Sequence, residues 1–470
     1  MLSAATIMCA SVMIAQMNNS DVNQVGNSNT SDVSQTGLQN DSNVDTIGND
    51  NDSDVIQNGT TNASIVLQAG GGPGGDGSSD GNSSTVDQDG LSNFQIVWQD
   101  GDNNTASLEQ DGTTNNSDVD QWGDDNSSAT TQDGLSNFSI VSQGYGVAGD
   151  GAHTSTVSQQ GENNDSDVFQ FGGTGNDSSV EQVGEDNNSI VLQDGTSNGS
   201  SVDQDGFLND SFVDQIGNNN ESAVSQHNQG HNSNVLQLGN QNNSAVEQHG
   251  KTNISTVDQI GNNNDSSVTQ HGNTNTSDVD QLGNANGSIV SQSGFMSNSD
   301  VDQIGMHNNS SVAQEGRTHI STVNQLGNHN DSSVSQKGNS NDSNVLQSGN
   351  RNASSVTQRG KTNMSTVDQL GNHNDSSVAQ RGNTNISDID QIGNGNGSSV
   401  DQHGSHNNSD VDQIGNGNNS DVTQNGSQNM STVLQTGMQN GSTVSQSGMN
   451  HMSVVTQTGN MNMSTVTQSN

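Results

Sequence analysis

Residues 275–294 read NTSDVDQLGNANGSIVSQSG, and this stretch holds two copies of one frame, N-x-S-x-V-x-Q-x-G-x-x. The frame is 11 residues long and recurs from Asn18 towards the C-terminus. Positions 1, 3, 5 and 7 of a copy are Asn, Ser, Val and Gln, a period of two that is typical of a β-strand with one buried face. A fixed spacing over most of the chain indicates stacked structural repeats rather than an ordinary globular domain.

A second period of 22 residues lies over the first, because position 8 is aliphatic in alternate copies and polar or charged in the copies between them. Two strands therefore make one rung, and equivalent residues of successive rungs should lie about 4.8 Å apart. The sequence predicts an all-β fold: a β-solenoid of stacked strand–turn–strand rungs, each made of two 11-residue repeats, forming a cross-β-like stack of two sheets. The aliphatic residues at position 8 are Ile260, Leu282, Ile304, Leu326, Leu370, Ile392 and Ile414.

The residues expected to form the structural ladder are the repeated ones of the frame. Buried valines contribute about 1.5–3 kcal/mol each, and the inward amides are expected to bond to their copies above and below. Glycine at position 9 and the two residues after it are expected to form a turn. In the quoted stretch the ladder residues are Asn275, Ser277, Val279, Gln281, Gly283, Asn286, Ser288, Val290, Gln292 and Gly294.

The composition excludes several classes of protein. Only 24% of the residues are hydrophobic and 2% are aromatic, with a net charge of −45, which in a chain without repeats would favour disorder. The composition alone is therefore also compatible with a disordered acidic chain that binds calcium. All seven Lys and Arg lie between Lys251 and Arg381, so the chain lacks the basic surface that nucleic acid requires, and no nucleic-acid partner is expected.

The domain organisation follows from where the frame holds. Residues 1–16 resemble the apolar part of a secretory signal peptide and are interpreted as a remnant of one. They are too short for a membrane span, so no integral membrane protein is expected. Residues 17–470 are predicted to be one repeat solenoid, with irregular loops near residues 70–81 and 144–153 and an unbroken register over residues 176–470.

The repeat is similar to the curlin repeat, the unit of curli amyloid fibres. That family's motif has a Ser, then Gln-x-Gly, then Asn-x-Ala and a second Gln; Ser277, Gln281, Gly283, Asn286 and Gln292 match it. Ser288 stands where the family prefers Ala. The resemblance implies a secreted subunit that polymerises with itself into an extracellular cell-surface or biofilm fibre. Its further partners would be an outer-membrane export channel and a nucleator.

Candidate sites are few. No catalytic constellation stands out, and neither an enzyme nor a bound cofactor is expected, since Ser recurs as a ladder residue and the histidines take turn or outward positions. Paired aspartates should stack on one outer face, where a calcium site competes with a simple solvated acidic face. The aliphatic column from Ile260 to Ile414 is a candidate lateral contact between fibres. The weak cation candidates are Asp278, Asp280, Asp300, Asp302, Asp388, Asp390, Asp410 and Asp412.

The sequence therefore favours a structural subunit that polymerises end to end by templated strand addition, because the frame persists almost to the last residue without a distinct cap. The alternative is a monomeric β-solenoid that acts as an adhesin or as a surface- or cation-binding rod.

Overall fold

The computed structural model describes residues 17–69, 79–144 and 150–470. All regular secondary structure within these ranges is β-strand. The chain divides into two compact units, residues 1–163 and residues 164–470. The predicted signal remnant, residues 1–16, and most of the two predicted loops, residues 70–78 and 145–149, lie outside the described residues.

The first unit is a stack of parallel strands in two sheets. Odd-numbered strands pair with odd-numbered ones and even-numbered strands with even-numbered ones, so each rung contributes one strand to each sheet. Its strands are β1 (Asn19–Asn27), β2 (Thr30–Leu38), β3 (Asp41–Asn49), β4 (Asp52–Thr60), β5 (Ala63–Ala69), β6 (Ser83–Leu91), β7 (Phe94–Asp100), β8 (Thr105–Thr113), β9 (Asn116–Trp122), β10 (Ser127–Leu135), β11 (Phe138–Gln143) and β12 (Thr154–Glu162).

The second unit repeats the same arrangement with nearly uniform nine-residue strands. We call its two sheets the odd sheet and the even sheet, after the numbers of their strands. The strands are β13 (Asp165–Phe171), β14 (Asp177–Glu185), β15 (Asn188–Thr196), β16 (Gly199–Phe207), β17 (Asp210–Asn218), β18 (Glu221–Gln229), β19 (Asn232–Asn240), β20 (Asn243–Lys251), β21 (Ile254–Asn262), β22 (Asp265–Asn273), β23 (Thr276–Asn284), β24 (Gly287–Phe295), β25 (Asn298–Met306), β26 (Asn309–Arg317), β27 (Ile320–Asn328), β28 (Asp331–Asn339), β29 (Asp342–Asn350), β30 (Ala353–Lys361), β31 (Met364–Asn372), β32 (Asp375–Asn383), β33 (Ile386–Asn394), β34 (Gly397–Ser405), β35 (Asn408–Asn416), β36 (Asn419–Ser427), β37 (Met430–Met438), β38 (Gly441–Met449), β39 (Met452–Asn460) and β40 (Met463–Ser469).

The core of each unit is a thin layer between its two sheets. Valine at position 5 of the frame is almost fully buried in strand after strand, as with Val279 and Val290, and Ser and Gln flank it on the same face. In-register pairing sets Val279 beside Val257 and Val301, so identical residues stack along the unit. The predicted β-solenoid, its two sheets and its 22-residue rung are confirmed.

The turns differ from the expectation. A typical strand runs from position 2 to position 10, so that β23 contains Gly283 rather than ending before it. The reversal is made at position 11, where a non-glycine residue such as Ala285 takes the left-handed conformation at a φ of 53°. Gly283 has a φ of 133°, and a Cβ atom there would lie 1.9 Å from the carbonyl oxygen of Gly305. Glycine is needed because the next rung approaches closely.

Insertions leave the register of the first unit intact. Gln57 and Gln88 are 31 residues apart, yet the Gln57 Nε2 donates to the Gln88 Oε1 at 2.8 Å, as it would across a regular rung. Gln132 bonds in the same way to Gln159 across 27 residues. The strands on either side of each predicted loop therefore pair in register within their sheets.

Candidate functional site

A ladder of buried glutamine amides runs through the second unit. The Gln281 Nε2 donates to the Gln303 Oε1 at 2.9 Å, and the Gln281 Oε1 accepts from the Gln259 Nε2 at 2.9 Å. The second hydrogen of the Gln281 Nε2 goes to the carbonyl of Asp265 in the even sheet, at 3.1 Å. Each glutamine thus joins three rungs along the stack and ties the two sheets together, which satisfies a fully buried amide.

Asparagine at position 1 makes a different network. The Asn275 backbone N–H donates to the Asn253 Oδ1 at 3.0 Å, and the Asn275 Oδ1 accepts from the Ser297 backbone N–H at 3.1 Å. Its Nδ2 donates to the carbonyls of His271 and Gly294. The asparagine column therefore works largely through the backbone of the neighbouring turns, and its equivalents Asn286 and Asn308 do the same.

In the interior strands of the second unit, serine at position 3 is buried but its Oγ makes no hydrogen bond among the described residues. The Oγ atoms of Ser277 and Ser288 have no partner among the described residues, and both side chains are at most 2% exposed. The serine column fits the narrow space beside the valines because of its small volume. The hydroxyl itself contributes no bond there.

Three histidines correct the expectation that histidines take turn or outward positions. His153, His231 and His319 occupy position 1 and are buried. The His319 Nδ1 accepts from the Asn341 N–H at 3.3 Å, and its Nε2–H donates to the Glu315 carbonyl at 3.1 Å. The imidazole thereby replaces the asparagine amide, and burial lowers the pKa of both His231 and His319.

The outer face of the odd sheet carries stacked aspartates. Asp278 pairs in register with Asp300, and Asp280 with Asp302; Asp388, Asp390, Asp410 and Asp412 repeat this arrangement. Partial burial, followed by repulsion from neighbouring aspartates, raises the pKa of Asp280 and of Asp390 to about 6. Each of these carboxylates lies among others of the same sign, which disfavours its ionised form.

Beside the aspartates runs the aliphatic column at position 8. Ile260, Leu282 and Ile304 stack in consecutive rungs, each between 38% and 48% exposed. Leu326 follows them, the column is interrupted at Ser348, and Leu370, Ile392 and Ile414 resume it. Asp258, Asp280 and Asp302 line a groove of about 340 Å³ together with the first three aliphatic residues.

The outer face of the even sheet carries a short column of basic residues among its own acidic ones. Lys337, Arg359 and Arg381 stack at position 8 of three consecutive rungs. The Lys337 Nζ lies 2.7 Å from the Glu315 Oε2; the described residues place no carboxylate within ion-pair distance of the two arginines. Further along the same column the His249 and His271 rings stack with centroids 4.9 Å apart.

The repeat geometry agrees with a comparison of the sequence with known families. A family model described as the curlin associated repeat matches residues 101–134, 195–227, 239–272, 261–294, 307–338, 338–371, 399–426 and 421–448. These segments together span about half of the chain. The chain belongs to the curlin-repeat family. No curated protein matches it.

Curlin repeats form a structural, non-enzymatic family, and in this member the repeated residues are those of the ladders. Within the described ranges no group of three or more His, Cys, Asp or Glu side chains has the arrangement of a metal site. Cation binding by the aspartate pairs therefore remains a prediction. No helix in the described part of the chain is long and apolar enough to cross a membrane.

Sequence reasoning missed several members of these columns in this curlin-repeat chain. Ile216 and Leu238 extend the aliphatic column below Ile260, and Asp258 and Asp368 extend the aspartate columns. The signal was present, because all four residues occupy the same frame positions as the residues already singled out.

The first unit contains a further acidic pair that the frame could have revealed. Asp118 and Asp120 lie on β9 in the same S-D-V-D-Q sequence as the pairs of the second unit. Burial first, and then the charge of Asp118, raises the pKa of Asp120 to about 7. Trp98 and Trp122 lie nearby in the same sheet, with ring centroids 6.3 Å apart.

Proposed function

We propose that this protein is a secreted structural subunit that polymerises end to end into curli-like fibres of a cell surface or biofilm matrix. The observation that carries the proposal is the direction of the glutamine ladder. In each unit the ladder bonds run from the Nε2 of one rung to the Oε1 of the rung after it, as from Gln35 to Gln57 in the first unit and from Gln446 to Gln468 in the second. A stack built in this way has a donor end and an acceptor end.

The outermost described rungs present these two ends. The Gln468 Oε1 accepts from Gln446, while its Nε2 donates only to the Met452 carbonyl among the described residues. Gln35 uses its Nε2 within the stack and presents its Oε1 towards the other end. A second copy placed head to tail continues both the ladder and the backbone pairing, and such a contact propagates without closing.

The apolar face of the terminal rungs supports the same assembly. Val466 of β40 and Val33 of β2 are only partly covered, in contrast to the buried valines inside each unit. Stacking one on the other would bury both, and the stabilisation for each side chain would be a part of the about 1.5–3 kcal/mol that full burial of an exposed valine contributes. The serine and glutamine columns would meet in the same register.

Secretion, an outer-membrane export channel and a nucleating partner belong to this proposal through the family. The chain contributes to it a strongly acidic surface, with a net charge of −45, which keeps unassembled copies apart.

The test is negative-stain electron microscopy of the full chain diluted from denaturant, with and without calcium. We expect long unbranched filaments from the unsubstituted chain. Gln457→Glu combined with Gln468→Glu keeps the internal Oε1 acceptors but removes the outward donors, together with the bonds of the same Nε2 atoms to the Gly441 and Met452 carbonyls, so filament growth should slow strongly. The matched control is Thr458→Glu with Ser469→Glu, which adds the same charge at outward positions and should leave growth intact.

Discrete particles that never elongate would overturn the proposal and favour a monomeric adhesin or cation-binding rod. The stacked aspartates are the observation in favour of that second candidate, because hard cations prefer oxygen ligands. Calcium that binds tightly to such particles, with loss of binding in Asp278→Asn and Asp300→Asn, would support it.

A further inference from the structure

One three-rung patch on each outer face of the second unit matches the other in charge and in axial spacing. We call one patch the acidic groove; it comprises Asp258, Asp280 and Asp302 with Ile260, Leu282 and Ile304. We call the other the basic column; it comprises Lys337, Arg359 and Arg381. Each occupies three consecutive rungs, so both repeat at the same strand spacing of about 4.8 Å. A second set of in-register residues with the same composition comprises Asp368, Asp390, Asp412, Leu370, Ile392 and Ile414.

We propose that the basic column of one copy docks into an acidic groove of a second copy, so that neighbouring fibres associate side by side. This rests on the proposed function, since it states which faces of the fibre meet. The occupant is a second copy because the groove is acidic and partly apolar, and because the chain itself carries three cations of matching spacing on its even sheet.

The chemistry of the two surfaces fits side chain by side chain. Positions 6 and 8 of a strand lie about 6.7 Å apart on one face, since a strand advances about 3.3–3.4 Å per residue. The methylene stems of Lys and Arg can lie on the aliphatic residues while their charged ends reach the aspartates. The cations stand beside the short side chains Ser335, Thr357 and Ala379, which leave room for an approaching fibre.

The contact also relieves two unfavourable arrangements within one copy. Arg359 and Arg381 stack on each other and on Lys337, and Glu315 neutralises only the end of the column. In the groove, the three aspartates stack in the same way. Bringing the two columns together replaces like-charge neighbours with opposite ones. The attraction between these opposite charges is strongest where the aliphatic residues exclude water.

The geometry makes the contact heterologous, because the odd sheet of one copy meets the even sheet of another. In a docked pair one copy still has its acidic groove free and the other still has its basic column free, and the association therefore does not close at two. Ribbons of several parallel fibres are the expected product rather than pairs.

The experiment compares two triple variants of the full chain that change the net charge equally. Lys337→Glu with Arg359→Glu and Arg381→Glu reverses the basic column. Lys251→Glu with Arg317→Glu and Lys361→Glu reverses cations at position 10 of the same sheet, outside the column. Circular dichroism establishes that both variants fold, and electron microscopy with scattering measures the mass per length of the fibres.

We expect ribbons from the unsubstituted chain and from the position-10 variant, and single filaments from the column variant. Combining Asp280→Lys, Asp302→Lys, Asp390→Lys and Asp412→Lys in a second chain should restore ribbons when it is mixed with the column variant. Ribbons of the unsubstituted chain should also separate at 1 M salt, where the screening length is about 3 Å.

Ribbons that persist in the column variant, or that are lost equally in both triple variants, would overturn the docking contact. Single filaments of the unsubstituted chain whose column binds added polyglutamate would overturn it in favour of a foreign polyanion. If no filaments form at all, the end-to-end proposal fails. The lateral contact is then decided by the molar mass of soluble chains, which must fall in the column variant and not in its control.

Discussion

At the scale of single residues, the glutamine ladder should dominate the stability of each rung. Gln281→Leu keeps the volume but removes the bonds that Gln281 makes with the Gln259 Nε2, the Gln303 Oε1 and the Asp265 carbonyl. Each buried polar group left unpaired costs about 1–3 kcal/mol. We expect a lower denaturant midpoint, and faster amide hydrogen exchange concentrated in β21 to β25, because a solenoid loses stability locally.

The serine column should behave in the opposite way. The Ser277 Oγ is buried and has no hydrogen-bond partner among the described residues, so Ser277→Ala removes a desolvated hydroxyl without breaking a bond. We expect unchanged or slightly raised stability in the same measurements. A loss comparable to that of Gln281→Leu would show instead that the hydroxyl is paired.

Single residues also show where sequence reasoning stops. The period of two was sufficient to predict strands, and the 22-residue period to predict the rung. It could not predict that His319 replaces an asparagine inside the stack, since that depends on two ring nitrogens meeting a backbone N–H and a carbonyl. Nor could it predict the raised pKa of Asp280, which requires the partial burial that only the stacked face provides.

At the scale of the strand and turn, two glycines with positive φ should respond differently to substitution. Gly283→Ala would place a Cβ against the Gly305 carbonyl, whose atoms belong to the backbone and cannot move aside cheaply. Gly395 has a φ of 64° and nothing within 4 Å of an added Cβ. Equivalent turn positions hold Asn263 and His373 at similar angles.

We therefore expect Gly283→Ala to lower the melting temperature clearly and Gly395→Asn to leave it unchanged or raise it, because a left-handed asparagine is tolerated and the unfolded chain loses freedom. Equal effects of the two substitutions would mean that the close approach between rungs does not decide the choice of glycine. The sequence pattern alone assigned glycine to the turn, since it cannot show how near the next rung lies.

At the scale of the whole molecule, the stacked aspartates should make the fold more stable in mild acid. The pKa of Asp280, Asp390 and Asp167 is raised to about 6 and that of Asp120 to about 7, from an ordinary value of 3.8. The folded chain thus binds protons that the unfolded chain releases. Stability should rise as the pH falls from about 7 to about 4 and level off below the ordinary value.

Two buried histidines act in the other direction, because the lowered pKa of His231 and His319 means that stability is lost as the pH falls below about 6.5. The aspartates with a raised pKa are far more numerous, so the net change should follow them. Denaturant midpoints at a series of pH values measure it, and Asp280→Asn with Asp390→Asn should flatten the profile. A midpoint that falls steadily between pH 7 and 4.5 would contradict the expectation.

Lateral association should weaken as the pH falls, whereas the stability of the folded chain should rise. The basic column can attract the acidic groove only while Asp258, Asp280 and Asp302 are ionised, and a bound cation holds them in that form to lower pH than in a single fibre. As the pH approaches 3.8, ribbons should separate into single filaments although each filament has become harder to unfold. Mass per length and denaturant midpoint, measured on the same samples, distinguish this from general acid aggregation, in which ribbons thicken as charge is lost.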